Sequence, residues 1–304
     1  MDLYLPIAGL SVNALAVVAL GGVVGLLTGM VGVGGGFLTT PILIFFGIPP
    51  AVAVASSTTQ ITGASVSGVL AHTERKTVDF KIGAVLVFGG IAGAVAGGAI
   101  FRLLQAAGQI DTAIALLYVL LLGGIGGLMA REAAGALGLF GISAPPRRRA
   151  RRHNPVIAWL PMRWRFYSSG IYISPLAPLA LGFLSGILTV LLGVGGGFIL
   201  VPAMIYLFGM STKVVVGTSL FQILFVTAAT TLVHAVTTQS VDILLASLLL
   251  LGSVVGAQYG ARLASLAKPE LLRMFLAIIV LAVALRMGLG LGWRPDEIYT
   301  VQYL

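Results

Sequence analysis

Charge is scarce in this chain. Lys and Arg number 18 and Asp and Glu 9, together 9% of its 304 residues. An ordinary globular domain carries about 25%, and the mean hydropathy here is +1.07, so a water-soluble fold is excluded. Cysteine is absent, which rules out a disulfide framework and a thiolate metal site. With three His and few carboxylates, a catalytic metal centre is not expected, and neither a nucleophile–base pair nor a phosphate-binding Gly-Lys-Ser/Thr motif occurs. No catalytic residue, metal ligand or cofactor is therefore assigned, and the chain reads as a non-enzyme. The opening "MDLYLPIAGL" has no Lys or Arg, unlike the basic start of a cleaved signal peptide, so the first apolar run is expected to be retained.

Apolar runs are what the chain has instead. Asn13–Val31, Ala51–Ala71, Ile82–Leu104, Thr112–Ala130, Val214–Val236, Ile243–Leu266 and Leu271–Leu291 each approach or exceed the roughly 20 residues that cross a bilayer as a helix. The expected fold is an all-α polytopic membrane protein. Much of the +9 net charge lies in "PPRRRARRHNP", Pro145–Pro155. Basic residues flanking spans set topology, so this segment argues for a cytoplasmic loop and not for nucleic-acid binding.

The hexapeptide GVGGGF occurs twice, at Gly32–Phe37 and Gly193–Phe198, each followed by a proline, Pro41 and Pro202. Around it the two halves align with only two single-residue gaps. "ASSTTQ" (Ala55–Gln60) matches "GTSLFQ" (Gly217–Gln222), His72 falls on His234, Asp79 on Asp242, and Gly89, Gly93 and Gly97 on Gly252, Gly256 and Gly260. The expected division is a first repeat over 10–130, a basic cytoplasmic linker over 131–174, a second repeat over 175–292 and a tail over 293–304. Each repeat reads as five helical elements. The second of them, near 36–47 and 197–209, spans only ~18 Å at 1.5 Å per residue, too short to cross, and suits a re-entrant hairpin. Placing the linker inside puts all Lys and Arg but Arg102, Arg286 and Arg294 in the cytoplasm. Equivalent loops at 73–81 and 237–242 then carry three basic residues and none, as repeats of opposite orientation require. Inverted-topology repeats are expected, with their broken helices meeting near the midplane and both termini outside the cytoplasm.

Irregular backbone at that depth must be buried in protein or solvated by a polar cavity. Each turn feeds a helix N-terminus, whose free N–H groups and dipole attract anions. Gly34, Gly35 and Gly36 with Gly195, Gly196 and Gly197 are therefore candidate substrate-binding residues. Close helix crossing is the alternative role for these glycines. In "SSTTQ", spacing by three and four puts Ser56, Thr59 and Gln60 on one helix face. The second half keeps Thr218, Ser219 and Gln222. The Gln amides can donate to an oxyanion, while the hydroxyls could instead bond their own helix. His72 and His234 are candidates for a gate or proton relay, or for C-terminal caps. Asp79 and Asp242 read as N-caps, and the Gly89/93/97 and Gly252/256/260 runs as packing faces. The linker stretch "AWLPMRWRFY" (Ala158–Tyr167) mixes Trp, Arg and Tyr and is expected on the inner leaflet, which makes membrane lipid a partner.

The paired glycine segments, Pro41 and Pro202, the polar runs that follow, and two apolar halves around a basic linker resemble the TauE/SafE family of sulfite and organosulfonate exporters. The resemblance implies export of a small sulfur oxyanion such as sulfite, or of a sulfonate such as sulfoacetate, across a bacterial inner membrane. Residue chemistry alone reaches only a small-anion transporter. No carboxylate lies deep within an expected span, so alternating access that membrane potential alone could drive is the expected mechanism, with proton coupling through His72 or His234 left open and a passive small-anion channel as the alternative. A second copy of the chain is the one protein partner entertained.

Overall fold

The computed structural model describes residues 2–31, 36–136, 164–166, 169–264 and 269–292. Gly34 and Gly35, the arginine run of the linker and the tail at 293–304 lie outside the described residues. Among those described, the order is β1 (Asp2–Leu5), β2 (Leu10–Asn13), α1 (Ala14–Val31), α2 (Gly36–Phe45), α3 (Pro50–Glu74), α4 (Phe80–Ala106) and α5 (Ile110–Ala136). It continues with β3 (Trp164–Phe166), β4 (Ile171–Ile173), α6 (Leu176–Leu192), α7 (Gly197–Tyr206), α8 (Thr212–Thr237), α9 (Ile243–Ala264) and α10 (Pro269–Gly292).

Local sequence explains where the elements begin and end. Asn13 Oδ1 accepts the N–H groups of Leu15 and Ala16 at 3.0 and 3.3 Å, opening α1 as an N-cap. Pro50 and Pro269 occupy first helical positions, where a missing N–H costs nothing. The two short helices end just before Gly47 and Gly209, which take left-handed φ of +85° and +69° and so stop helix propagation. Ten residues each make these helices about 15 Å long. Pro41 and Pro202 lie inside them and remove the amides that would pair with the carbonyls of Phe37 and Phe198. Five described helices are long and apolar enough to cross a membrane. α3 has 25 residues, but its polar run lowers its hydropathy below theirs.

Helices pair across the halves. α1 lies along α9, α4 along α6, α3 against α8 and α5 against α10. Glycine sets how closely they approach. A Cβ added at Gly93 would come 2.0 Å from the Phe183 carbonyl oxygen, and one at Gly256 2.0 Å from that of Gly22. The two GxxxG runs are thus packing faces, and the partner of each is the first helix of the other half. The order of contacts gives the directions. Gly21, Gly25 and Gly29 meet Leu249, Ser253 and Ala257 in rising order, so α1 and α9 are parallel. Thr59 meets Thr231 at 3.3 Å and Thr62 meets Thr227 at 2.9 Å, so α3 and α8 are antiparallel. Gly126 faces Val280 while Gly288 faces Val119, so α5 and α10 are antiparallel as well.

A short antiparallel hairpin precedes the first long helix of each half, pairing Asp2 with Asn13 and Trp164 with Ile173. The β3–β4 hairpin falls inside the segment expected as linker, and α5 runs on to Ala136. Three-residue strands are too brief to show an alternating pattern, which explains why the sequence does not announce them.

Candidate functional site

The two glycine segments meet. Phe37 and Phe198 stack with ring centroids 4.6 Å apart and planes 13° from parallel, and both rings are buried. Gly36, first residue of α2, sits so close to the second segment that a Cβ there would lie 2.6 Å from the Gly193 carbonyl oxygen. The second segment is described throughout. Gly193, Gly195 and Gly196 all take left-handed conformations, φ +71°, +72° and +75°, which glycine adopts without the Cβ clash.

Side chains fasten the helix that leads into this turn. The last carbonyls of a helix have no intrahelical donor. At the end of α6, His234 Nε2 from α8 lies 3.0 Å from the Val190 carbonyl, and the Tyr118 hydroxyl from α5 donates to that of Leu192. A carbonyl can only accept, so His234 carries its proton on Nε2. Its Nδ1 faces Thr238 Oγ1 at 3.3 Å, and its ring packs edge-on against Phe101 at 4.9 Å. His72 caps differently: its Nδ1 lies 2.9 Å from Thr77 Oγ1, which donates back to the His72 carbonyl at 3.0 Å.

Around the turn, polar groups converge from three helices. Ser185 and Thr189 of α6 flank Gly196, Thr40 of α2 flanks Gly193, and Thr227 of α8 turns its methyl group toward Gly195. Gln222 Nε2 donates to Ser185 Oγ at 3.2 Å, while Ser185 Oγ donates to the Gly182 carbonyl at 2.7 Å. Gln222 Oε1 is buried without a hydrogen-bond partner, as are Ser57 Oγ and Thr230 Oγ1. A buried polar atom left unpaired costs about 1–3 kcal/mol, so each of these atoms would gain from a water or ligand atom beside it. The N–H groups of Gly197 and Phe198 open α7 beside this cluster, at the positive end of its dipole.

The remaining candidates divide. Gln60 accepts from Thr39 Oγ1 at 3.5 Å, at the entry of α2. Ser56 and Thr218 serve elsewhere: Ser56 Oγ accepts the Asp242 N–H at 3.2 Å and Thr218 Oγ1 accepts the Asp79 N–H at 3.0 Å. Each hydroxyl thus anchors the other half's loop. Asp79 Oδ1 caps α4 through the N–H groups of Lys81 and Ile82, and Asp242 Oδ1 caps α9 through that of Leu245. Their second oxygens reach the hairpins: Asp79 Oδ2 accepts from Ser169 Oγ and Asp242 Oδ2 from the Ile7 N–H. Thr59 and Ser219 donate to the carbonyls of Ala55 and Val216 in their own helices at 3.0 Å each. Ser185, Thr189, Thr227 and Thr40 were not singled out by sequence reasoning. The signal for them is positional, since Ser185 and Thr189 share one helix face immediately before the turn.

Two open cavities are lined by residues other than those of the second glycine segment. One, of about 570 Å³, lies between the far end of α2 and helices α5 and α10, and the other, of about 680 Å³, between α4 and the β3–β4 hairpin.

Residues 17–287 match the family model described as Sulfite exporter TauE/SafE, so the match spans both glycine segments and the helices that pack around them. The chain belongs to this family. Curated relatives share its length as well. A probable membrane transporter protein, YjnA of Bacillus subtilis strain 168, is 31% identical over 277 residues, covering 90% of this chain and 99% of its own. A probable membrane transporter protein of Xylella fastidiosa strain 9a5c is 30% identical over 269 residues, covering 87% and 91%. No solved structure matches at a significant level. With five apolar helices able to span, the chain is a multi-pass membrane transporter and not an enzyme.

Proposed function

We propose that this TauE/SafE member exports a small sulfur-containing anion, sulfite or an organosulfonate such as sulfoacetate, by alternating access about the paired glycine turns. The observation that carries the reading is the meeting of the two segments at Phe37 and Phe198, 4.6 Å apart, beside the α7 N-terminus and the buried, half-satisfied Gln222. A neutral cluster of N–H, amide and hydroxyl donors holds an anion through charge-assisted hydrogen bonds and the helix dipole. It can also release the anion, because no fixed cation is among the side chains named around the turn.

Two inverted-topology repeats are the framework for this mechanism. Reciprocal pairing of α1 with α9 and α4 with α6, together with antiparallel contacts between the equivalent helices α3 and α8, supports a pseudo-two-fold axis in the membrane plane. In the conformation described, the Phe stack closes the meeting point. Rocking one half against the other about that stack would expose the turn to each face alternately. The bilayer is taken as the bacterial inner membrane, with the linker cytoplasmic. An interior-negative potential then favours anion exit by about 2.3 kcal/mol per charge per 100 mV.

The test is sulfite and sulfoacetate efflux from proteoliposomes at an imposed potential with no pH gradient. Saturable flux that follows the potential is the expected result. Flux that appears only with a proton gradient overturns potential-driven export, and discrete single-channel currents overturn alternating access in favour of a passive anion channel.

A further inference from the structure

The two halves differ at one point beside their turns. By the repeat, Gln60 falls on Gln222 and Thr39 on Leu200. In the first half Gln60 Oε1 accepts from the Thr39 hydroxyl at 3.5 Å, in the first turn of α2. In the second half Leu200 stands in that place, fully buried and with no polar hydrogen to give, and Gln222 Oε1 is buried with no partner. Ser185 fixes which end of the amide is left over. Its hydroxyl donates to the Gly182 carbonyl at 2.7 Å and so can only accept from Gln222, which turns Nε2 toward it at 3.2 Å. An amide oxygen accepts and cannot donate, so only a hydrogen brought from elsewhere satisfies it. The same Ser185 Oγ lies 3.5 Å from where a Cβ on Gly196 would be, which sets the amide one side chain from the second turn. That turn offers donors. Ile199 and Leu200 make the first bonds of α7, to the Gly196 carbonyl, and Gly196 has no side chain to cap the helix, so among the described residues the N–H groups of Gly197 and Phe198 stay open.

We propose that the ligand of this turn carries a hydrogen-bond donor of its own, an O–H beside its sulfur-bound oxygens, and that this hydrogen fills at Gln222 the place the Thr39 hydroxyl fills at Gln60. This rests on the export proposed above and narrows the class of anion. The anion's oxygens take the N–H groups of Gly197 and Phe198, and its hydroxyl donates to Gln222 Oε1. Hydrogensulfite and hydroxyalkanesulfonates have such a hydrogen, whereas the sulfite dianion and fully ionised sulfoacetate have none. A site that hydrogen-bonds a ligand's O–H rejects the analogue without it, because the acceptor is then left buried and unpaired. The Phe37–Phe198 stack closes the turn in the conformation described, so the ligand enters as that stack parts.

The test compares isethionate (2-hydroxyethanesulfonate) with ethanesulfonate, which share the sulfonate and the carbon chain and differ by one hydroxyl. Each is titrated calorimetrically into the full chain in detergent micelles. Isethionate should bind at least roughly tenfold more tightly. Gln222→Leu should weaken isethionate and bring the two ligands within about twofold of each other. Leu200→Thr, which puts a hydroxyl where the first half has Thr39, should close the gap as well. Melting curves establish that each variant is folded, and if the buried Leu200→Thr change unfolds the chain, Gln222→Leu decides alone. Equal binding of the two anions by the wild-type chain overturns the inference, because water then satisfies Gln222, and leaves the export reading standing. A gap that survives Gln222→Leu overturns it too, since the hydroxyl is then read elsewhere. Binding of neither anion overturns the export reading itself, and the donor requirement falls with it.

Discussion

Gly193 and Gly209 adopt nearly the same left-handed conformation, φ +71° and +69°, in opposite surroundings. A Cβ at Gly193 would lie 2.8 Å from the Val54 carbonyl oxygen and 2.9 Å from Thr40 Oγ1, whereas one at Gly209 would meet nothing within 4 Å. Alanine at either position bears the same left-handed strain, about 1–2 kcal/mol, and the same small gain from a stiffer unfolded chain. Subtracting one variant from the other leaves only packing. The contact at Gly193 is largely backbone, which cannot rotate away, so overpacking of about 1–3 kcal/mol applies. At roughly 2–4 °C per kcal/mol for a chain of this order, Gly193→Ala should melt roughly 2–12 °C below Gly209→Ala. Intrinsic-fluorescence melts in one detergent would read the gap. Gly193→Ala should also slow efflux, since its methyl group enters the contact between α3 and the turn, while Gly209→Ala should transport as wild type. Coincident melting curves would show that the second glycine segment does not press on α3, and the reasoning about where the two halves meet would fail with it.

Gly93→Ala should destabilise by about 1–3 kcal/mol, because its Cβ meets the Phe183 carbonyl oxygen at 2.0 Å, while Gly124→Ala, with nothing within 4 Å, should be neutral or stabilising by up to about 1 kcal/mol; parallel melts compare them. Asp79→Ala removes the α4 cap and should cost about 0.5–2 kcal/mol, with Asp79→Asn recovering most of it in denaturant titrations. Gln222→Leu should leave the fold intact while lowering sulfite efflux at least tenfold, as roughly 1.4 kcal/mol of lost hydrogen bonding implies, and unchanged efflux would remove Gln222 from the site.

Much of this arrangement is readable from local chemistry. The Asp79 and Asp242 caps follow from an acidic residue just before an apolar run, and the GxxxG faces from spacing alone. What those motifs touch is not local. Gly93 announces a close neighbour without naming Phe183, because partner choice is decided by how all the helices fill space together. Ser56 and Thr218 show the same limit. Their spacing marks an inward face, but inward includes both the turn and the opposite loop, and only the fold assigns their hydroxyls to the N–H groups of Asp242 and Asp79. Ser185 and Thr189 escape notice for the converse reason: isolated hydroxyls in an apolar helix are common, and these matter through their nearness to Gly196.

The asymmetry between the two histidines bears on how such a molecule moves. His72 and His234 occupy equivalent positions, yet among the described residues His72 bonds within its own end of α3 and the loop that follows, whereas His234 reaches across to the Val190 carbonyl of α6. One half's helix exit is therefore locked to the end of α6, and among the described residues His72 makes no corresponding bond. The alternating access proposed above requires two conformations that exchange such contacts. The bond from His234 is thus a candidate for the contact that opens when the bundle changes face, with His72 gaining the counterpart. An engineered cross-link between α8 and α6 at this level should then arrest transport without lowering the melting temperature, while retained efflux in the cross-linked protein would show that the bond persists through the cycle.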